Sequence, residues 1–133
     1  MIQHLHIPGT PTPSGPYTPA VRAGDFLFLS GQVAIDPATN ELVVGATAQQ
    51  TRATLQNIQR LLEGCGARLE DVVKCSVLLL DAADFQEMNA VYAEFFPLAK
   101  PARTTVAATL MDARLRVEIE CIAYLGNASN PNV

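Results

Sequence analysis

The sequence predicts an α+β fold with two helices stacked on one face of a mixed β-sheet, and three observations carry that prediction. Several short segments show β alternation or continuous apolar character, two others carry apolar residues at helical spacing, and the two kinds interleave along the chain. Strand residues such as Leu78, Leu80, Val106 and Ile119 supply more apolar surface than two helices on one side can hide. The surplus favours self-association, so a symmetric oligomer with clefts between its copies is expected. With 133 residues, 49% of them hydrophobic and 17% charged, the chain is long and apolar enough for one packed domain spanning 1–133.

The first segment, Ile2 to Ile7, alternates as a short strand with His4 and His6 on one face. Two histidines at i and i+2 are too few for a metal, and no cluster of Cys, His or acidic residues completes the set. Five prolines between Pro8 and Pro19 make that stretch a loop, and Tyr17 within it argues for an ordered one. Phe26-Leu27-Phe28-Leu29 then runs into Ser30-Gly31-Gln32 as a strand buried on both faces near its start. Gly31 marks either a bulge or a place where another group approaches the backbone. The turn-rich stretch 36–45 has room for a short strand around Glu41 to Val44.

Thr47 and Gln50 have capping-box spacing and open a helix whose Leu55, Ile58, Leu61, Leu62 and Cys65 form one stripe. Gly64 and Gly66 end it. Val72 to Leu80 is the most apolar strand and the candidate for the sheet centre. A second helix opens at Asp84-Phe85-Gln86-Glu87, read as a cap with a carboxylate reaching back, and packs through Phe85, Met88, Tyr92, Phe95 and Phe96 until Pro97. Asn89 lies at the edge of that stripe, either facing a pocket or bordering solvent.

The chain finishes in two β segments read as a hairpin. Alternation puts Arg103, Thr105 and Ala107 on one face of the first and Glu118 and Glu120 on one face of the second. On neighbouring strands Arg103 and Glu118 can meet. An Arg fork holds a carboxylate through two hydrogen bonds, and a nearby carboxylate takes a proton from water, which suits hydrolysis of a small carboxylate-bearing molecule. The alternative is a pair of charged residues on solvated edge strands.

Composition narrows the classes further. A net charge of −4 and a pI near 5.0 argue against a general grip on phosphate backbones, so nucleic acid is not an expected partner. Cys65, Cys75 and Cys121 lack C-x-x-C spacing and read as reduced core residues of a cytoplasmic protein. No signal-peptide architecture opens the chain and no apolar run approaches ~18 residues, so no membrane partner is expected. Only the tail from Asn127 to Val133 has a composition that points to disorder.

Five collinear motifs carry a family resemblance: Ser14-Gly15-Pro16-Tyr17, Phe28-Leu29-Ser30-Gly31-Gln32, the run from Met88 to Phe96, Pro101-Ala102-Arg103-Thr104-Thr105-Val106, and Val117-Glu118-Ile119-Glu120. Together they resemble the RidA family, also called YjgF, over nearly the whole chain. The resemblance implies a chorismate-mutase-like fold, a homotrimer with active clefts between subunits, and hydrolytic deamination of small 2-imino or 2-enamino carboxylates such as 2-iminopropanoate. It implies Arg103 as the carboxylate-binding arginine and Glu118 as the water-directing glutamate. Tyr17 would be an aromatic wall from the neighbouring subunit, and Ser30, Gly31 and Asn89 would line the cleft. Such chemistry needs no metal or organic cofactor. Where typical family deaminases have Arg-Ser-Cys-Val this chain has Arg103-Thr104-Thr105-Val106, so Thr105 takes the place of a pocket cysteine. That change keeps two other readings open, a non-catalytic sensor of small carboxylates and a deaminase of larger enamines such as aminomuconate. A ribonuclease, described for some relatives, fits least.

Overall fold

The structure, a computed structural model, describes residues 1–126, so the expectation for the tail lies outside the described residues. Its strands are β1 (Ile2–Leu5), β2 (Ala20–Ala23), β3 (Phe26–Gln32), β4 (Ile35–Asp36), β5 (Glu41–Leu42), β6 (Val72–Leu79), β7 (Ala102–Ala107) and β8 (Val117–Tyr124). Helix α1 (Thr47–Gly64) lies between β5 and β6, and α2 (Phe85–Phe95) between β6 and β7. Six strands form one mixed sheet in the order β1-β2-β3-β8-β6-β7, in which only β6 and β7 run parallel. The α+β class and the two helices on one face are as the sequence predicts.

The final hairpin is not. Helix α2 carries the chain across the sheet face so that β7 joins β6 in parallel at the edge, and β8 then inserts between β3 and β6. Strand β6 therefore separates β7 from β8. The fully buried alternation of Cys75, Val77 and Leu79 gives β6 two partners, which is why it lies inside the sheet. Strand β2 is absent from the sequence reading. Ala20 to Ala23 is short and weakly apolar, and its signal is the two-residue Gly24-Asp25 turn that joins it to β3.

Side chains from Leu27, Leu29, Val77, Leu79, Val117 and Ile119 meet Leu55, Ile58, Leu62, Met88 and Tyr92 of the helices in one core. No helix among the described residues covers the other sheet face. Phe26 and Phe28 alternate onto that face and are each 44% exposed, so β3 is buried on one side only, contrary to the sequence reading. Val106 is exposed there as well, but Ile119, expected among the surplus, is wholly buried under the helices. Register explains this: Ile119 stands opposite Val77, on the covered face.

Neither predicted capping box forms. Thr47 is already the first helical residue, after Ala46, and the Ala48 N–H is capped from the other helix by the Glu87 carboxylate at 2.9 Å. Glu87 thus ties the two helices together rather than closing its own. Asp84 does precede α2, but its carboxylate accepts from the Arg116 guanidinium, which also donates to the Thr47 hydroxyl. That guanidinium holds the Asp84 carboxyl below the ordinary carboxylate range. At the other end of α1, Gly66 at φ +80° closes the helix, with Gly66 N–H on Glu63 O and Ala67 N–H on Leu62 O. Gly64 is the last helical residue and does not interrupt α1.

Gln50, freed from a capping role, is wholly buried and joins three backbone groups from outside its helix. Its amide donates to Val43 O at 3.0 Å and Arg114 O at 2.9 Å, and its carbonyl accepts from Arg116 N–H at 2.7 Å. It therefore fixes where β8 begins. Gln50→Ala strands these groups away from water and is expected to cost about 3 kcal/mol in denaturant unfolding, more than twice a typical surface substitution.

Candidate active site

The sequence-predicted residues separate into two clusters on opposite faces of the sheet. Cys75 is the cross-strand partner of both Arg103 and Cys121, which places Arg103 on the helix-covered face. Leu78 is the partner of both Val106 and Glu118, which places Glu118 on the open face. The sheet stands between guanidinium and carboxylate within one protomer. The expected meeting of Arg103 and Glu118 on adjacent strands is thus corrected, because the insertion of β8 between β3 and β6 changes both neighbour and face.

The cationic cluster lies where edge strand β7 passes under α2. Arg103 Nη2 donates to Asn89 Oδ1 at 2.8 Å, and its guanidinium carbon lies 4.7 Å from the Tyr92 ring centre and 5.6 Å from that of Phe85. Two aromatic faces and one amide oxygen hold the fork in place and leave its remaining N–H groups available to an anion. Asn89 is half-buried, and its side chain oxygen holds the Arg103 guanidinium. Thr105 follows two residues on, on the same face and opposite Val77. Burial pushes the neighbouring Cys75 and Cys121 thiols up, so neither is a ready nucleophile. Sequence reasoning missed the positioning role of Tyr92 and Phe85, which it assigned to packing alone; both lie on the α2 face that carries Asn89, and that spacing was the available signal.

The carboxylate cluster lies on the open face in a groove of about 580 Å³, lined among others by Tyr17, Ser30, Gly31 and Glu118. Ser30 Oγ donates to Thr18 O at 2.7 Å, and Ser30 N–H to Pro19 O at 2.9 Å, so β3 pins the Pro-rich loop. The Tyr17 hydroxyl accepts from Ser14 N–H at 3.2 Å while the ring stays exposed at the groove mouth. Gly31 has both of its sequence readings at once. The β3–β8 register shifts between Leu29 and Gln32, and the group that approaches the backbone is Glu118 itself. A Cβ at position 31 would stand 3.0 Å from Glu118 Cδ and 3.2 Å from Cγ.

Burial, and then the like charge of Glu120, raise the Glu118 carboxyl above the ordinary value of 4.5. A base raised toward neutrality transfers protons more effectively at neutral pH than an ordinary surface carboxylate. Because the Glu118 side chain can shift by a few tenths of an ångström while the fold cannot, Gly31→Ala is expected to leave thermal stability nearly unchanged. Any activity that depends on Glu118 should fall by roughly tenfold or more, since small misplacements of a reacting group are costly. A large stability loss with normal turnover would contradict this coupling.

A family model described as Endoribonuclease L-PSP matches residues 8–125. The chain belongs to this family, the RidA or YjgF family. A RutC family protein from Pyrococcus horikoshii is 49% identical over 124 residues, covering 93% of this chain and 98% of that protein. A protein from Dermatophagoides farinae named 2-iminobutanoate/2-iminopropanoate deaminase is 37% identical over 121 residues, covering 91% and 94%. Among solved structures, that of RidA from an Antarctic Psychrobacter superposes with a TM-score of 0.87 at 35% identity, covering 92% of this chain and 98% of its own. The α+β architecture is therefore the RidA fold. No three His, Cys, Asp or Glu side chains among the described residues gather as a metal site, and no helix among them is long and apolar enough to cross a membrane.

Proposed function

We propose that this RidA-family protein is a hydrolytic deaminase of small 2-imino and 2-enamino carboxylates, acting in the cytoplasm as a homotrimer with its active sites between copies. The observation that carries the reading is the division of the predicted residues. A held guanidinium with open N–H groups occupies one sheet face, and a raised carboxylate in a groove occupies the other, so each half needs a complement that the same protomer does not supply. A second copy provides it if the β7 edge of one protomer closes over the Glu118 groove of another. The exposed Phe26, Phe28 and Val106 of the helix-free face supply apolar surface for such an assembly.

In this reading Arg103 binds the substrate carboxylate through its fork and Asn89 keeps the fork aligned. The bound imine then presents its C=N carbon to a water held by Glu118 and by backbone groups near Gly31. Glu118 takes a proton from that water as oxygen bonds to carbon and passes it to the imine nitrogen, giving a carbinolamine. In the collapse the hydroxyl proton moves through Glu118 to the amine nitrogen as the C–N bond breaks and the C=O bond forms, so imine plus water becomes keto acid plus ammonia. An enamine first tautomerises to the imine. Positioning and one base suffice because imines already react readily with water. Thr105, in place of a cysteine, contributes pocket shape and backbone hydrogen bonds.

The family model's description names an endoribonuclease, but the residues do not favour that chemistry here. His4 on β1 and His6 just after it are exposed, remote in the sheet order from β7, and no basic stripe among the described residues accompanies them. The decisive assay generates 2-aminoacrylate with a pyridoxal-phosphate dehydratase in the presence of semicarbazide, which traps the imine. The protein is expected to divert flux from the trapped adduct to free pyruvate. Undiminished trapping by folded, oligomeric protein would overturn the deaminase reading.

A further inference from the structure

Two thiols lie beneath the cluster that holds Arg103, and the proposed chemistry uses neither. Arg103, Cys75 and Cys121 stand in one row across β7, β6 and β8, on the helix-covered face. Both thiols are free and buried. Leu80 N–H donates to Arg116 O at 3.0 Å, which makes those two residues a hydrogen-bonded pair. Successive pairs of antiparallel strands alternate, so Cys75 and Cys121, five pairs further along an unbroken register, form a non-hydrogen-bonded pair. At such pairs the Cα atoms stand about 4.5 Å apart and the side chains crowd together, within the range of about 4.4 to 6.8 Å that a disulfide spans.

The Tyr92 ring belongs to the same buried core, and its centre lies 4.7 Å from the Arg103 guanidinium carbon. The Tyr92 hydroxyl is buried and has no hydrogen-bond partner among the described residues. Burial, and then the adjacent Cys75 thiol, push that hydroxyl up. The thiols thus neighbour the ring on which the guanidinium packs.

We infer that Cys75 and Cys121 are a redox-active pair that closes to an intramolecular disulfide and weakens the grip of Arg103 on a carboxylate. Burial raises both thiols. At Cys75 the Tyr92 hydroxyl and then the Arg103 guanidinium offset part of the rise, whereas at Cys121 the Cys75 and Glu120 charges add to it, so Cys75 loses its proton first. With a peroxide as oxidant, the Cys75 sulfur attacks one peroxide oxygen and the O–O bond breaks, giving a sulfenic acid and water. The Cys121 sulfur displaces that oxygen as a second water. Two thiols and one hydrogen peroxide therefore become one disulfide and two waters. The sulfurs end about 2.05 Å apart, drawn away from the Tyr92 hydroxyl, and a ring that shifts with them misplaces the guanidinium. Because both thiols are buried, oxidation waits on local opening and is slow. The effect on carboxylate binding rests on the role given to Arg103 in the deaminase reading; the disulfide does not.

The test exposes the folded native protein to hydrogen peroxide, alongside Cys65→Ser, which removes the partly buried third thiol and its competing exchange. Peptide mass spectrometry without reduction is expected to find Cys75 joined to Cys121. Pyruvate binding, followed by calorimetry and independent of turnover, should weaken by roughly tenfold on oxidation and recover with dithiothreitol. Cys121→Ala should lose that response, with a thermal melt as the check on folding for every form. Thiols that stay free, or that pass to sulfinic acid, in folded protein would overturn the pair. A disulfide that leaves pyruvate affinity unchanged would overturn its control of Arg103. A redox-dependent affinity in protein that turns over no imine would uphold the pair and sink the deaminase reading.

Discussion

Arg103→Ala is expected to lower kcat/KM for a 2-imino acid by at least about a hundredfold while the protein stays folded, corresponding to about 3 kcal/mol of lost transition-state stabilisation. The size follows from what the side chain does in the cluster. Its fork is held by Asn89 at 2.8 Å and by the faces of Tyr92 and Phe85, so its N–H groups meet a carboxylate with little ordering left to do. Removing it leaves the substrate carboxylate without a charge-assisted partner and the imine carbon without a fixed position. Arg103→Lys should recover little, because an ammonium gives neither the paired geometry nor the flat stacking surface. Asn89→Ala should have a smaller effect of the same kind, since the rings still hold the guanidinium. The semicarbazide competition assay with size-exclusion and thermal controls measures all three. Native turnover in folded Arg103→Ala would show that the carboxylate binds elsewhere.

Glu118→Gln is expected to reduce turnover further, by about 10²- to 10⁴-fold, the range contributed by a positioned general base. The pH dependence gives a sharper test. Burial and the nearby Glu120 raise the Glu118 carboxyl, so activity should fall as pH is lowered through a midpoint above 4.5. Glu120→Gln removes the like charge and should move that midpoint down, toward the ordinary value, without abolishing turnover. Stability carries the same sign. Between 4.5 and the raised value the folded protein binds more protons at Glu118 than the unfolded chain, so the charged carboxylate weakens the fold as pH rises through that window. Glu118→Gln should therefore melt higher than the native protein at pH 7, and the difference should disappear below pH 4.5. A pH-rate limb that Glu120→Gln leaves in place would assign the titration to another group.

The same residues show how far local pattern reaches. The α1 stripe, the ordered Pro-rich loop and the double meaning of Gly31 could all be read from spacing, because each is set by burial period or backbone chemistry within a few residues, whereas β6, expected at the sheet centre, lies next to the edge strand β7. The capping boxes misled for a related reason. Thr47, Gln50, Asp84 and Glu87 have the right spacing for self-capping, yet each side chain finds its partner on another element, where a buried hydrogen bond to a distant group is worth more than an exposed local one. Nothing within four residues of Gln50 announces Arg114 or Arg116.

By itself the sequence determined the class of the fold and the family, and it singled out Arg103 and Glu118 as the candidate groups. Only the tertiary structure decided that they stand on opposite faces of the sheet and that Tyr92 and Phe85 pack against the guanidinium. The reason is register. Alternation within a strand tells which residues share a face, but which face that is depends on the neighbour and the offset of pairing. Here the insertion of β8 between β3 and β6 settles both through pairings between residues far apart along the chain, such as Leu79 with Val117 and Phe26 with Tyr124.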